Sequence, residues 1–319
     1  MKKLLPILAL TIMGLVSQAT AAYPERPIEV VIPFGEGRAS DIFARKFSEL
    51  LSVKMSKPVQ PINKKGGGGL IGMVYAAQQK ANGYTILEIT PSHVIADVLG
   101  TASIKLMRDF EPLARIQSDM YILGVQKNSK FQSFKEMVEY GKQNELTFAG
   151  ISPGGLDDMT LAALSEATNM KIKFIPYKSG SEVKAAVLGG EVDIYLDKVI
   201  SAVSYIKDGS IRPMVVLDDQ RITSIDVFKE VPTTVELGYD VTIGSWRGFV
   251  VKKGTPKEIK DLLVTKMKEV YDSPEYKAFA EQTLTNVAPG YLGAEGFYKQ
   301  WEKEYKIFDP IAKRIGLKK

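Results

Sequence analysis

The stretch Pro33-Phe34-Gly35-Glu36-Gly37-Arg38-Ala39-Ser40-Asp41 sits between two different hydrophobic patterns. The apolar run Ile28-Glu29-Val30-Val31-Ile32 leads into it, and Ile42, Phe43, Phe47, Leu50 and Leu51 follow at helical spacing. The combination reads as strand, glycine loop and helix, with Ser40 or Asp41 able to cap the helix start. Gly35 and Gly37 allow a tight turn and leave backbone N–H groups uncovered. At a helix N-terminus such donors and the helix dipole point the same way, so the loop is a seat for an anion. Any βα loop can carry a glycine and a cap, so the rest of the chain has to decide what this one does.

A second unit of the same build occurs further on. Leu146-Thr147-Phe148-Ala149 reads as a strand, Gly150-Ile151-Ser152-Pro153-Gly154-Gly155-Leu156-Asp157-Asp158 as a glycine loop, and Met159, Leu161, Ala162 and Leu164 as the helix behind it. Two such units predict two lobes, each offering a helix N-terminus to one cleft. Between them, Tyr84 to Ile89 reads as a strand ending at Thr90-Pro91-Ser92-His93, where an open α/β sheet binds its ligand, so Thr90 and Ser92 are candidate hydroxyl contacts. His93 reads as structural. The four glycines Gly66 to Gly69 predict a loop at a close backbone approach, since such a run cannot sit inside an element.

Beyond the second unit, Ile172 to Tyr177 is strand-like and Lys178-Ser179-Gly180-Ser181 opens a helix closed by Gly189-Gly190. Val192 to Asp197 reads as a strand ending in an acid, and Thr242 to Val251 as a strand that crosses back. The last helix, Ala294 to about Phe308, carries Phe297, Trp301 and Tyr305 as core-facing anchors, and Pro310 is expected to end or kink it.

Composition narrows the function. The 319 residues are 45% hydrophobic and 25% charged, the ordinary balance of a globular protein. Lys2-Lys3, the apolar run from Leu4 to Val16 and the small residues Ala19 to Ala22 read as a secretory leader over residues 1–22, with a core shorter than a membrane span. Loss of Lys2 and Lys3 with that leader lowers the net charge from +5 to +3. The scattered lysines form no basic stripe, which argues against nucleic acid. The chain has no cysteine, which excludes thiol nucleophiles, thiolate metal sites, disulfides and a lipoprotein anchor. A single histidine excludes a histidine metal cluster. No cofactor or metal is expected, and a monomer is.

With these residues in view, the chain resembles the extracytoplasmic solute-binding receptors of tripartite tricarboxylate transporters, over nearly all of the chain after the leader. The matching pieces are Pro33-Phe34-x-x-Gly37-x-x-x-Asp41, Asn63 with Gly66 to Gly72, and Gly83-Tyr84-Thr85-Ile86-Leu87. Pro176-Tyr177-Lys178, Leu188-Gly189-Gly190-x-Val192-Asp193, Asp197, Val231-Pro232-Thr233, Ser245-Trp246-x-Gly248 and Gly254-Thr255-Pro256 continue the match in order. The resemblance implies an α/β periplasmic binding protein of the two-lobed, Venus flytrap type. It implies a mixed β-sheet in each lobe and a hinge of crossing strands, with lobe 1 over 23–122 plus 247–319 and lobe 2 over 123–246. It implies a small organic carboxylate in the cleft and delivery to the membrane subunits of a transporter. The first carboxylate would lie on the loop of Phe34, Gly35, Glu36, Gly37, Arg38, Ser40 and Asp41, with Thr90 and Ser92 on the same lobe. Ser152, Gly154, Gly155, Asp158, Lys178, Ser179 and Asp197 would face it from the other.

Departures from the family pattern leave the ligand open. Arg38 stands where the family usually has glycine, and either reaches an extra carboxylate or points outward. Asp157 and Asp158 stand where relatives often carry hydroxyls and a histidine, and with Asp197 could prefer an ammonium, a hydroxyl or a protonated acid. An enzyme, a hydrolase or lyase using Asp158 and Asp197, is the weaker alternative, since Gly-x-Ser-x-Gly is absent and His93 has no marked partner. A sensor module that presents the solute to a receptor kinase is not separable from a transport receptor by sequence.

Overall fold

The computed structural model describes residues 23–151 and 153–318; the expected leader and Ser152 lie outside the described residues. From the first strand onward the elements are β1 (Ile28–Ile32), α1 (Ala39–Met55), β2 (Val59–Asn63), α2 (Leu70–Gln78), β3 (Thr85–Ile89), α3 (Pro91–Leu99), α4 (Leu106–Asp109) and β4 (Phe110–Asp119). The chain then enters a second sheet with β5 (Tyr121–Gln126), α5 (Phe134–Gln143), β6 (Glu145–Gly150), α6 (Leu156–Thr168), β7 (Lys171–Pro176), α7 (Gly180–Gly189), β8 (Tyr195–Lys198), α8 (Val199–Lys207) and β9 (Ile211–Val216). It returns through β10 (Ser245–Lys252), α9 (Lys257–Tyr271), α10 (Pro274–Gln282), β11 (Leu292–Gly293) and α11 (Ala294–Arg314).

The first sheet has the order β11-β4-β10-β3-β1-β2. β1 pairs in parallel with β2 and β3, and β10 is antiparallel to both β3 and β4, so the sheet is mixed. Buried on both faces, β1 is almost wholly aliphatic, as a central parallel strand must be. Phe43 and Phe47 of α1 pack on Phe249 of β10, with ring centroids 5.6 and 5.0 Å apart. In the second lobe β5 is antiparallel to β8 and β9, β6 is parallel to β7, and a bridge from Phe148 to Ile194 joins the two groups.

Two crossings join the lobes. β4 runs into β5 through Met120, and the return enters β10 at Ser245, opposite Asp119. Strand alternation divides these residues between two faces. Tyr121, Ser245 and Arg247 face a cleft between the lobes, while Ser118, Met120, Gly244 and Trp246 face a hollow of about 440 Å³ behind the hinge. The C-terminal helix also spans both lobes. Its Phe297 meets Trp246 edge-on at 4.9 Å, and its Arg314 pairs with Glu166 of α6 at 2.9 Å.

One local expectation needs correction. α11 continues through Pro310 to Arg314, because Phe308, Ile311 and Ala312 are buried and hold the last turns in place against the local cost of proline. β3 ends at Ile89, as expected, and Thr90 to His93 open α3 directly behind it: Pro91 occupies the first turn, where its missing N–H costs nothing. Asp197 lies in β8, and α8 begins after Lys198. The glycine run makes the expected close backbone approach, to His93. A Cβ on Gly69 would lie 2.8 Å from His93 Nε2.

Candidate functional site

The two glycine loops are built alike. Gly37 has φ +73° and donates its N–H to Asp41 Oδ2 at 2.9 Å; Gly154 has φ +71° and donates to Asp158 Oδ2 at 2.7 Å. In each, an aspartate in the first helical turn reaches back and fixes the loop. Asp41 also accepts Arg45 Nε and Asn63 Nδ2, each at 2.8 Å. Burial acts to raise its pKa, but these three donors outweigh burial and hold the carboxyl below its usual range. Both glycine amides are therefore engaged, and the groups turned to the cleft come from the residues after them.

The cleft has a volume of about 620 Å³. Phe34, Arg38, Ala39 and Ser40 line it from the start of α1, Thr90, Pro91 and Ser92 from the start of α3, and Gly155, Leu156 and Asp157 from the start of α6. Lys198, at the N-cap of α8, brings a fourth helix start to the same space. No side chain caps α1, α6 or α8, so their first-turn N–H groups are not taken by a capping side chain. α3 differs: a Thr90–His93 capping box closes it, with Thr90 N donating to His93 Nδ1 at 3.1 Å. Burial pushes the His93 pKa down to about 4, so the ring is neutral and structural.

Arg247 forms the floor. It is buried, donates from Nε to Ser40 Oγ at 3.3 Å, and lies near two buried carboxyls. Burial pushes Glu88 up to about 7 and Asp119 up to about 6, each against the pull of the Arg247 guanidinium. On the other lobe Asp157 Oδ1 accepts the Tyr121 hydroxyl at 2.5 Å. Lys198 Nζ lies 5.1 Å from the centre of the Tyr121 ring. Among the described residues, the side-chain nitrogens of Arg38, Lys198 and Arg247 have no carboxylate within 4.0 Å.

Of the residues expected from sequence, Phe34, Arg38, Ser40, Thr90, Ser92 and Gly155 line this cleft. Gly35, Glu36 and Gly37, in the loop, and Asp41, in the first turn of α1, do not line it; Glu36 is exposed and meets Lys65 at 3.6 Å. Asp158 turns away into a separate hollow of about 340 Å³ with Leu161, Arg314 and Leu317, and Leu317 also crowds Gly154. Lys178 is exposed, and Ser179 Oγ accepts Glu182 N at 3.3 Å to cap α7. Asp197 accepts the neighbouring Lys198 N–H at 2.8 Å, and burial raises its pKa. Asp158 and Asp197 thus do not share the cleft as an acid–base pair would have to.

Sequence reasoning missed Arg247, Tyr121 and Lys198. Arg247 is the unspecified position of Ser245-Trp246-x-Gly248, and strand alternation from Trp246 was the signal that could have found it.

The family described as "Tripartite tricarboxylate transporter family receptor" matches residues 43–317. Protein BugT of Bordetella pertussis is 29% identical over 297 residues, 90% of each chain. A TctC solute-binding protein from Polaromonas, solved without ligand, aligns with a TM-score of 0.83 at 24% identity, over 92% of this chain and 100% of that one. An R. palustris protein solved with adipate aligns with a TM-score of 0.72 at 23% identity, over 92% and 99%. The fold is thus that of the periplasmic binding proteins, and the chain belongs to the tripartite tricarboxylate transporter receptor family, whose members are solute-binding receptors and not enzymes.

Proposed function

We propose that this receptor works in the periplasm, closes its two lobes on a small di- or tricarboxylate, and delivers it to the membrane subunits of a tripartite tricarboxylate transporter. Lobe 1 is then residues 23–122 plus 247–319 and lobe 2 residues 123–246. The observation that carries this reading is the convergence of the uncapped α1 and α6 starts and of three cationic side chains without an ion-pair partner on one cleft. The adipate held by the R. palustris relative belongs to the same chemical class.

Micromolar affinity needs about 8 kcal/mol net. Hydrogen bonds to a charged group contribute roughly 1.5–3 kcal/mol each, and ordering losses take back several kcal/mol. One loop on one lobe falls short, whereas contacts from both lobes suffice once closure excludes water. The ligand then shifts the open–closed equilibrium because it touches both lobes only when they are shut. Native mass spectrometry of the protein purified from its own periplasm tests the proposal. A retained carboxylate is the expected result, and a retained ligand without a carboxyl group would refute it.

A further inference from the structure

Asp157 is out of place in a cleft built for anions. It faces the same space as Arg38, Ser40 and Arg247 but from the opposite lobe. Its Oδ1 takes the Tyr121 hydroxyl, and among the described residues no donor reaches Oδ2. It lies in the first turn of α6, at the positive end of the helix dipole. A carboxylate facing a bound carboxylate repels it unless a donor stands between them. Lys198 does not neutralise it, since no cation approaches Asp157 within 4.0 Å among the described residues.

We infer that the ligand is a dicarboxylate carrying a hydrogen-bond donor, an amino or hydroxyl group, that meets Asp157 when the lobes close. The inference rests on the carboxylate reading above and narrows it. The charges of the cleft match such a ligand. Arg38 and Arg247, with the α1 start, face one carboxylate; Lys198 faces the other; Asp157 takes the donor. A plain diacid leaves Asp157 desolvated and unpaired on closure. Leaving a buried acceptor without a partner is the most effective way a site rejects an analogue. Tyr121 has a supporting part: its hydroxyl holds Asp157 in orientation, and burial with the neighbouring Asp157 keeps that phenol protonated.

Calorimetric titration of the unliganded full receptor with matched acids tests this. The sets are succinate, malate and aspartate; glutarate, 2-hydroxyglutarate and glutamate; and adipate, 2-hydroxyadipate and 2-aminoadipate. In the set whose length fits, the hydroxy or amino member is expected to bind roughly ten- to a hundredfold tighter than the plain acid. Asp157→Asn is expected to shrink that ratio to within about threefold, while Tyr121→Phe retains most of it. A plain diacid that binds as tightly as its substituted partners overturns the inference, and so does a preference that survives Asp157→Asn. Either result leaves the carboxylate reading standing. If Asp157→Asn does not fold, the wild-type ratios decide alone. Failure of every acid to bind also overturns the inference, and the mass of the retained native ligand then decides the broader reading.

Discussion

Buried carboxyls dominate at the residue scale, and Glu304 is the clearest of them. It accepts Trp246 Nε1 at 2.6 Å and Gln300 Nε2 at 2.9 Å, both on Oε1, and burial pushes its pKa up to about 7. A carboxyl whose folded pKa is raised adds stability below its unfolded value near 4.5, and that stability is lost as pH rises through about 7. Glu304→Gln keeps an oxygen for both donors and cannot ionise. We expect it to melt with the wild type at pH 4 and to be more stable at pH 8, by on the order of 1–3 kcal/mol, in urea titrations at the two pH values. Asp41 behaves in the opposite way, because its donors hold its pKa down. Asp41→Ala removes the partner of Gly37 N–H, Arg45 and Asn63, and should cost about 2–4 kcal/mol in the same assay. Sequence offered Asp41 as a helix cap or a ligand contact, whereas it sits in the first turn of α1, behind the Arg38 N-cap, and ties back the Gly37 amide. Arg247 was not legible, since its role depends on which face of a crossing strand it occupies, and only the hinge geometry fixes that.

At the scale of elements, the helix starts organise the cleft, and the tail of α11 supports one of them. Leu317 lies against Gly154, where an added Cβ would approach its Cδ1 to 2.5 Å. Cutting the chain after Arg314 removes this support from the β6–α6 loop while leaving the buried Phe308 and Ile311 in place. The expected outcome is a loss of roughly tenfold in ligand affinity, about 1.4 kcal/mol, with a smaller change in melting temperature. Equal affinity of the truncated and full chains would separate the tail from the site. Both strand–loop–helix units were readable because apolar runs, glycines and helical spacing agree at each. The α3 and α8 starts were not readable, because each follows a strand without an intervening loop of glycines. Pro310 misled for a related reason: a local cost is visible in sequence, but the packing of Ile311 and Ala312 that overrides it is not.

For the whole molecule, the proposed closure of the lobes about the two crossings predicts a change of shape. Ligand should lower the radius of gyration in small-angle scattering, and an unchanged radius on saturation would count against the clamp. The fold class was legible because the same unit occurs twice in a chain without cysteine; the wiring of β10 between β3 and β4 was not, since that pairing joins residues far apart in sequence. The crossing strands carry one further consequence. They present Tyr121, Ser245 and Arg247 to the cleft and Ser118, Met120, Gly244 and Trp246 to the opposite hollow, so under the proposed closure the hinge acts as a see-saw with the solute on one arm. Bulk placed on the other arm, as in Ser118→Trp, should prop the rear apart and tip the receptor shut, raising affinity severalfold in calorimetry without touching a single atom of the cargo.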